Sequence, residues 1–167
     1  NFICNQGCRH GREGWQIAQQ IYAAIVYVHD HDVIHRDIKL DNILIESYEE
    51  GQFHTVLSDF GCAKVLTKTA KCYTVLGTPQ YMAPEIWAGV GKPRDSVSGY
   101  AYSADVWSFG VLLFELCTGV QLFKGDVNDN ATIEGWSALC LWLDISDTKL
   151  AAVVFDGAEH AAAEARN

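Results

Sequence analysis

Between positions 35 and 42 the chain reads His35-Arg36-Asp37-Ile38-Lys39-Leu40-Asp41-Asn42, which sets a carboxylate, a lysine and an amide within six residues, Asp37 to Asn42. These groups suit the handling of a phosphate and a hard metal ion. An Asp can accept a proton from a hydroxyl, a Lys can offset charge on a phosphoryl oxygen, and an Asn carbonyl can ligate Mg²⁺. The His-Arg-Asp triplet alone fits a polar loop that caps a helix equally well, so other residues have to decide. A second carboxylate, Asp59, stands in Ser58-Asp59-Phe60-Gly61. Gly61 permits backbone angles that a side chain resists, and Phe60 can anchor the turn in apolar surroundings.

The elements that must position these groups follow from periodicity. Ile17, Ile21, Ala24, Ile25 and Val28 recur at the spacing of a helix face, which predicts a buried helix of about four turns from Trp15 to near His29. Residues 1 to 14, rich in Gly and Cys, are expected to be irregular. Ile43-Leu44-Ile45 and Phe53 to Leu57 read as two short strands joined by an acidic turn, Glu46 to Gln52. They form a hairpin that presents both carboxylates at one edge. Cys62 to Gln80 has loop chemistry over a length that is unusual unless the loop is functional. A short helix is expected over Glu85 to Ala88, and Gly89 to Tyr100 is a second connection. Ser103 or Asp105 can cap a helix, Val106 to Thr118, whose apolar residues surround its axis, so it is expected to be buried. Gly119 ends it. A further helix is read around Trp136 to Leu143, Ile145 to Phe155 is ambiguous, and Ala158 to Asn167 is helical by propensity.

Composition excludes several classes of function. The 167 residues carry a net charge of −9 and no Lys/Arg-rich block, which argues against nucleic acid as a partner. No apolar run reaches the length of a membrane span, and no signal-type apolar core opens the chain. The expected setting is therefore soluble and intracellular, in the cytoplasm. Six cysteines are too few for a disulfide scaffold, and Cys62, Cys117 and Cys140 sit in apolar runs that suit reduced thiols. Cys4, Cys8 and His10 lack a second pair at zinc-site spacing. Met82 is the single methionine and Ala161 to Asn167 stops inside a helix-forming run, so the chain is expected to be a fragment of a longer one.

Four motifs in order carry a resemblance to a family. They are the loop His35 to Asn42, Asp59-Phe60-Gly61, Gly77-Thr78-Pro79-Gln80-Tyr81-Met82-Ala83-Pro84-Glu85, and Asp105-Val106-Trp107-Ser108-Phe109-Gly110. Together they resemble the C-terminal lobe of a eukaryotic-type protein kinase of the serine/threonine class. The resemblance implies a partial kinase domain over 1–167, well matched over 15–123 and poorly over 1–14 and 124–167. The fold it implies is mainly α with a short β hairpin, with the N-terminal lobe and the last helices missing.

The same resemblance implies roles for individual residues. Asp37 would be the base that accepts the substrate hydroxyl's proton, and Lys39 would offset charge on the moving phosphoryl group. Asn42 and Asp59 would hold Mg²⁺ against ATP, and Leu44 would form the floor under the adenine, although an ordinary strand core position describes Leu44 as well. Lys39 two positions after Asp37, and Gly77-Thr78-x-x-Tyr81 ahead of Ala-Pro-Glu, fit serine/threonine specificity. Arg36, Lys64, Thr74 and Thr78 form a regulatory group. In it Thr74 would receive an activating phosphate from an upstream kinase and Arg36 and Lys64 would hold it, or Thr74 is a plain loop threonine. His35, Phe60, Gly61, Glu85 and Asp105 would be structural: His35 and Phe60 stacked together, Asp105 tying its helix to the catalytic loop, and Glu85 awaiting an arginine partner that Arg166 fits poorly. Cys62 is either a reactive thiol near the nucleotide or an inert small hydrophobe. No Gly-rich phosphate loop, no Val-Ala-x-Lys lysine and no partnering glutamate precede the catalytic loop. Two functions therefore stay open. One is a phosphotransferase acting on protein substrates, with this fragment inactive alone; the other is a kinase-like lobe that docks partners without catalysis.

Overall fold

The structure, a computed structural model, describes residues 11–49, 52–67 and 70–123. Its first helix, α1 (Gly11–Asp30), runs longer than the apolar period predicts. Gly11 and Gly14 are weak helix formers and hide this start in the sequence. Gly14 is buried, so packing overrides propensity there. Ile17, Ile21 and Ile25 are almost fully buried on one face, each worth about 1.5–3 kcal/mol of transfer free energy. Glu13 in the first turn complements the helix dipole. The helix stops where Asp32 turns left-handed at φ 59°, a conformation that a short polar side chain tolerates better than most.

Two small antiparallel sheets follow. Strand β1 (Val33–Ile34) pairs with β4 (Lys64–Val65), and β2 (Ile43–Glu49) pairs with β3 (Gln52–Leu57). The architecture is thus mixed helix with two two-stranded sheets, where the sequence suggested helices with a single hairpin. Two-residue strands such as β1 and β4 are too short to show a period. The hairpin also extends further than Ile43-Leu44-Ile45, with Ile43 opposite Leu57 and Glu49 opposite Gln52 and an irregularity between Ile45 and Ser47. Segment 62–80 is likewise more than loop. It contains β4, a bridge between Cys72 and Tyr100, and a 3₁₀ turn, Pro79–Tyr81.

Helix α2 (Pro84–Trp87) is a single turn, and α3 (Ser103–Thr118) crosses the core. Neither Ser103 nor Asp105 caps α3, because Tyr102 ahead of it already has helical backbone and no side chain closes the end. The helix is not buried all round either: Ala104, Asp105, Ser108, Val111, Leu112 and Leu116 form the buried stripe, while Val106 is 60% exposed. Gly119 ends it in a left-handed turn at φ 68°, with its N–H on the Glu115 carbonyl at 2.7 Å. One core joins α1, the hairpin and α3 through Ile17, Ile21, Ile43, Phe53 and Leu112. A second gathers Ile34, Leu66, Cys72, Ile86 and Tyr100. The helices read around Trp136 to Leu143 and Ala158 to Asn167, the segment Ile145 to Phe155, and Cys4, Cys8, His10, Cys140 and Arg166 lie outside the described residues.

Gln20 on α1 acts as a short strand mimic against β3. Its Nε2 donates to the Phe53 carbonyl at 2.6 Å, and its Oε1 accepts from Thr55 N at 2.8 Å and Thr55 Oγ1 at 3.1 Å. Nothing in the helical period marks Gln20 out. Replacing Gln20 by Ala removes these three hydrogen bonds to β3 and is expected to lower stability by about 1–3 kcal/mol. Urea unfolding of the two forms measures the loss.

Candidate active site

The loop between β1 and β2 is held from below by a buried carboxylate. Asp105 on α3 is fully buried, and its Oδ2 accepts from His35 N while its Oδ1 accepts from Arg36 N, each at 2.8 Å. His29 Nε2 lies 2.8 Å from the same Oδ2, and because a carboxylate only accepts, His29 must carry its hydrogen there. These contacts hold Arg36 at φ 71°, a left-handed angle that costs a non-glycine residue on the order of 1 kcal/mol or more. His29 escapes sequence reading, since its partner lies 76 positions away.

His35 is fully buried and edge-on to Phe60, with ring centroids 4.8 Å apart. Its Nε2 contacts the Ser58 carbonyl at 3.0 Å and its Nδ1 accepts from Asp37 N at 3.3 Å. That pair of contacts selects the neutral tautomer with the proton on Nε2. Phe60 is 46% exposed rather than anchored in an apolar setting. Asp59 is left-handed at φ 58° and accepts from Gly61 N at 3.2 Å. Ser58 N and Ser58 Oγ both donate to the Asn42 carbonyl at 2.8 Å. The Asp59 turn is thereby fastened beside Asn42, at the end of the loop from His35.

Thr78 comes to the centre of the site. Asp37 Oδ1 accepts from both Thr78 N and Thr78 Oγ1 at 2.8 Å, and Lys39 Nζ donates to Thr78 Oγ1 at 2.8 Å. Lys39 Nζ is also 3.7 Å from Asp37 Oδ2. Thr78, grouped above with the regulatory residues, therefore touches the acid and the lysine directly. Its approach depends on Gly77 at φ 114°, where a Cβ would lie 2.5 Å from the Arg36 carbonyl oxygen. Asn42 Nδ2 donates to the Asp37 carbonyl at 2.8 Å and to Asp37 Oδ2 at 3.1 Å. With its nitrogen so committed, Asn42 offers an amide oxygen, and this oxygen and the Asp59 carboxylate are hard donors of the kind that Mg²⁺ takes. The residues present thus fit such an ion.

The other expected positions fall outside this cluster. Leu44 is 50% exposed opposite Val56 on the hairpin, so it is not an ordinary strand core residue. Lys64 and Thr74 are both exposed, and no hydrogen bond joins them. Arg36 Nε instead donates to the Cys62 carbonyl at 2.5 Å. Glu85 has no ion-pair partner among the described residues. Cys62 is half-buried and unpaired, and burial raises the Cys117 thiol above its usual range. Tyr81, just past Thr78, donates its hydroxyl to Glu115 Oε2. Burial, and then the Glu115 carboxylate, push its phenol well above the ordinary range.

Residues 1–154 match the family model for the protein kinase domain, and the chain belongs to that family. It is 42% identical over 103 residues to the meiosis-specific serine/threonine-protein kinase mek1 of Schizosaccharomyces pombe, covering 60% of this chain and 23% of that protein. It is 43% identical over 117 residues to the eye isozyme of protein kinase C from Drosophila melanogaster, covering 70% of this chain and 15% of that protein. A cell cycle serine/threonine-protein kinase of Saccharomyces cerevisiae, CDC5/MSD2, is 41% identical over 111 residues, covering 65% and 14%. The chain thus spans less than a quarter of each of these relatives. No described helix is long and apolar enough to cross a membrane.

Two outcomes check this geometry. Gly77→Ala is expected to force Thr78 off Asp37, since the added methyl would lie 2.5 Å from the Arg36 carbonyl oxygen and a φ of 114° is strained for any side chain; the chemical shifts of Asp37 and Thr78 report it. A raised Tyr81 value means that its contribution to stability is whole below the free phenol's value of about 10 and drains away as pH climbs above it. From pH 10 upward, stability should fall more steeply in the native chain than in Tyr81→Phe, by about 1.4 kcal/mol per pH unit. Urea midpoints across that range read the slopes.

Proposed function

We propose that the chain is the catalytic-loop-bearing C-terminal lobe of a serine/threonine protein kinase, which moves the γ-phosphate of ATP to a Ser or Thr hydroxyl of a protein substrate. The contact that carries this reading is the three-way junction of Asp37, Lys39 and Thr78. It joins the acid and the lysine of one loop to the segment 41 positions later that would lie alongside a substrate. The curated relatives named serine/threonine kinases support the same class.

In this reading Asp37 orients the incoming hydroxyl and takes its proton, so that the oxygen attacks phosphorus as the O–H bond breaks. Lys39, poised on Thr78, meets the charge on the transferring group. Asn42 and Asp59 would hold Mg²⁺, which neutralises phosphate charge when bound. Thr78, fixed by both partners, aligns the substrate-facing segment. The exposed side of the hairpin, Leu44 and Val56, gives a purine one apolar surface. A purine shielded from water needs a second surface facing it, which a further lobe of the full-length protein would supply.

The test is phosphoryl transfer to Ser/Thr peptides by the full-length protein and by its Asp37→Asn form. A loss of about 10²–10⁴-fold is expected for the variant, with the KM for ATP little changed. The 167-residue chain assayed alone should give negligible labelling. Transfer that survives Asp37→Asn would remove Asp37 as the base.

A further inference from the structure

A second buried hydroxyl joins three separate parts of the chain. Tyr100, 3% exposed, lies between the Arg94–Ser96 turn and α3. It is bridged to Cys72 by two backbone bonds, Cys72 N to the Tyr100 carbonyl at 2.8 Å and Tyr100 N to the Cys72 carbonyl at 3.0 Å. Gly99 makes that approach possible, because a Cβ there would lie 2.7 Å from Lys71 Cβ and 2.8 Å from a Tyr73 ring carbon. From this anchored position the Tyr100 hydroxyl donates to the Thr74 carbonyl at 2.6 Å. The Arg36 side chain donates through Nε to the Cys62 carbonyl at 2.5 Å.

The long segment between Cys62 and Gln80 is therefore held at two places, by Arg36 at Cys62 and by Tyr100 at Thr74. Thr74 stands four positions before Thr78. Four residues span at most about 14 Å, so fixing the Thr74 backbone confines where Thr78 can go. The Thr74 side chain remains exposed and takes no part in this hold.

We infer that Tyr100 is a positioning residue whose hydroxyl latches the Thr74 backbone, so that Thr78 reaches Asp37 and Lys39 without a phosphate on Thr74. The inference rests on the phosphotransfer reading above and assigns that site a built-in, phosphate-independent hold. A phosphate on Thr74 then adds to this hold and is not its sole source.

Tyr100→Phe keeps the ring and removes only the latch. In the full-length protein, hydrogen exchange at residues 73–78 should quicken about five- to tenfold, as the loss of one neutral hydrogen bond implies. Exchange in α1 and the β2–β3 hairpin should stay as it was. Unchanged exchange at 73–78, or a uniform rise across the chain, overturns the latch. The kinetic arm compares forms with and without phosphate on Thr74. Without it, Tyr100→Phe should lower kcat by about five- to tenfold at constant KM for ATP; with it, kcat should recover. Equal losses in both forms also overturn the proposal. If the native protein transfers no phosphate at all, the phosphotransfer reading fails on its own, and the exchange measurement still decides whether the hydroxyl holds the segment.

Discussion

Everything in the site hangs from the Asp105 carboxylate. A charge removed from water is prohibitive unless it is paired and hydrogen-bonded, and Asp105 receives two backbone N–H groups and the His29 ring. The same bonds satisfy donors in a buried turn and hold Arg36 in a left-handed angle it would not choose alone. One side chain thus fastens α3, the end of α1 and the loop from His35 to Asn42 together. Without it, Asp37 would sit on a loop with no fixed floor.

The opposite wall is set by a close backbone approach. Gly77 passes so near the Arg36 carbonyl that no side chain fits, and this brings Thr78 onto Asp37 and Lys39. The Arg36 residue is used twice over: its backbone is held by Asp105 below and passes against Gly77 above, while its side chain reaches the Cys62 carbonyl. A polar network of this kind rigidifies only when its members are satisfied. Here Asp37 Oδ1 accepts two hydrogen bonds and Oδ2 accepts one from Asn42.

Much of this was legible in the residues. The helix through Ile17, Ile21 and Ile25, the hairpin around Ile43 and Leu57, and the stop at Gly119 all follow from period and turn chemistry. The ends of α1 and β2 were less legible, because burial of Gly14 and pairing out to Glu49 are tertiary effects that override weak local preference. The two-residue strands β1 and β4 had no signal to read. Leu44 illustrates a different limit: an apolar residue in a strand has two faces open to it, and composition does not say which one the core takes.

The sequence by itself determined the order and identity of the chemical groups: Asp37, Lys39, Asn42 and Asp59 at their motif spacings, and with them membership of the protein kinase family. Those are properties of neighbours in the chain, where spacing carries information. Only the tertiary structure decided that Thr78 belongs with Asp37 and Lys39, that His29 shares the Asp105 carboxylate, that Gln20 fastens β3, and that Tyr100 reaches Thr74. Each of those bonds joins residues separated by between 26 and 76 positions. Such contacts depend on distances set by the packing of α1, α3 and the hairpin, and a single sequence holds no local pattern that measures them.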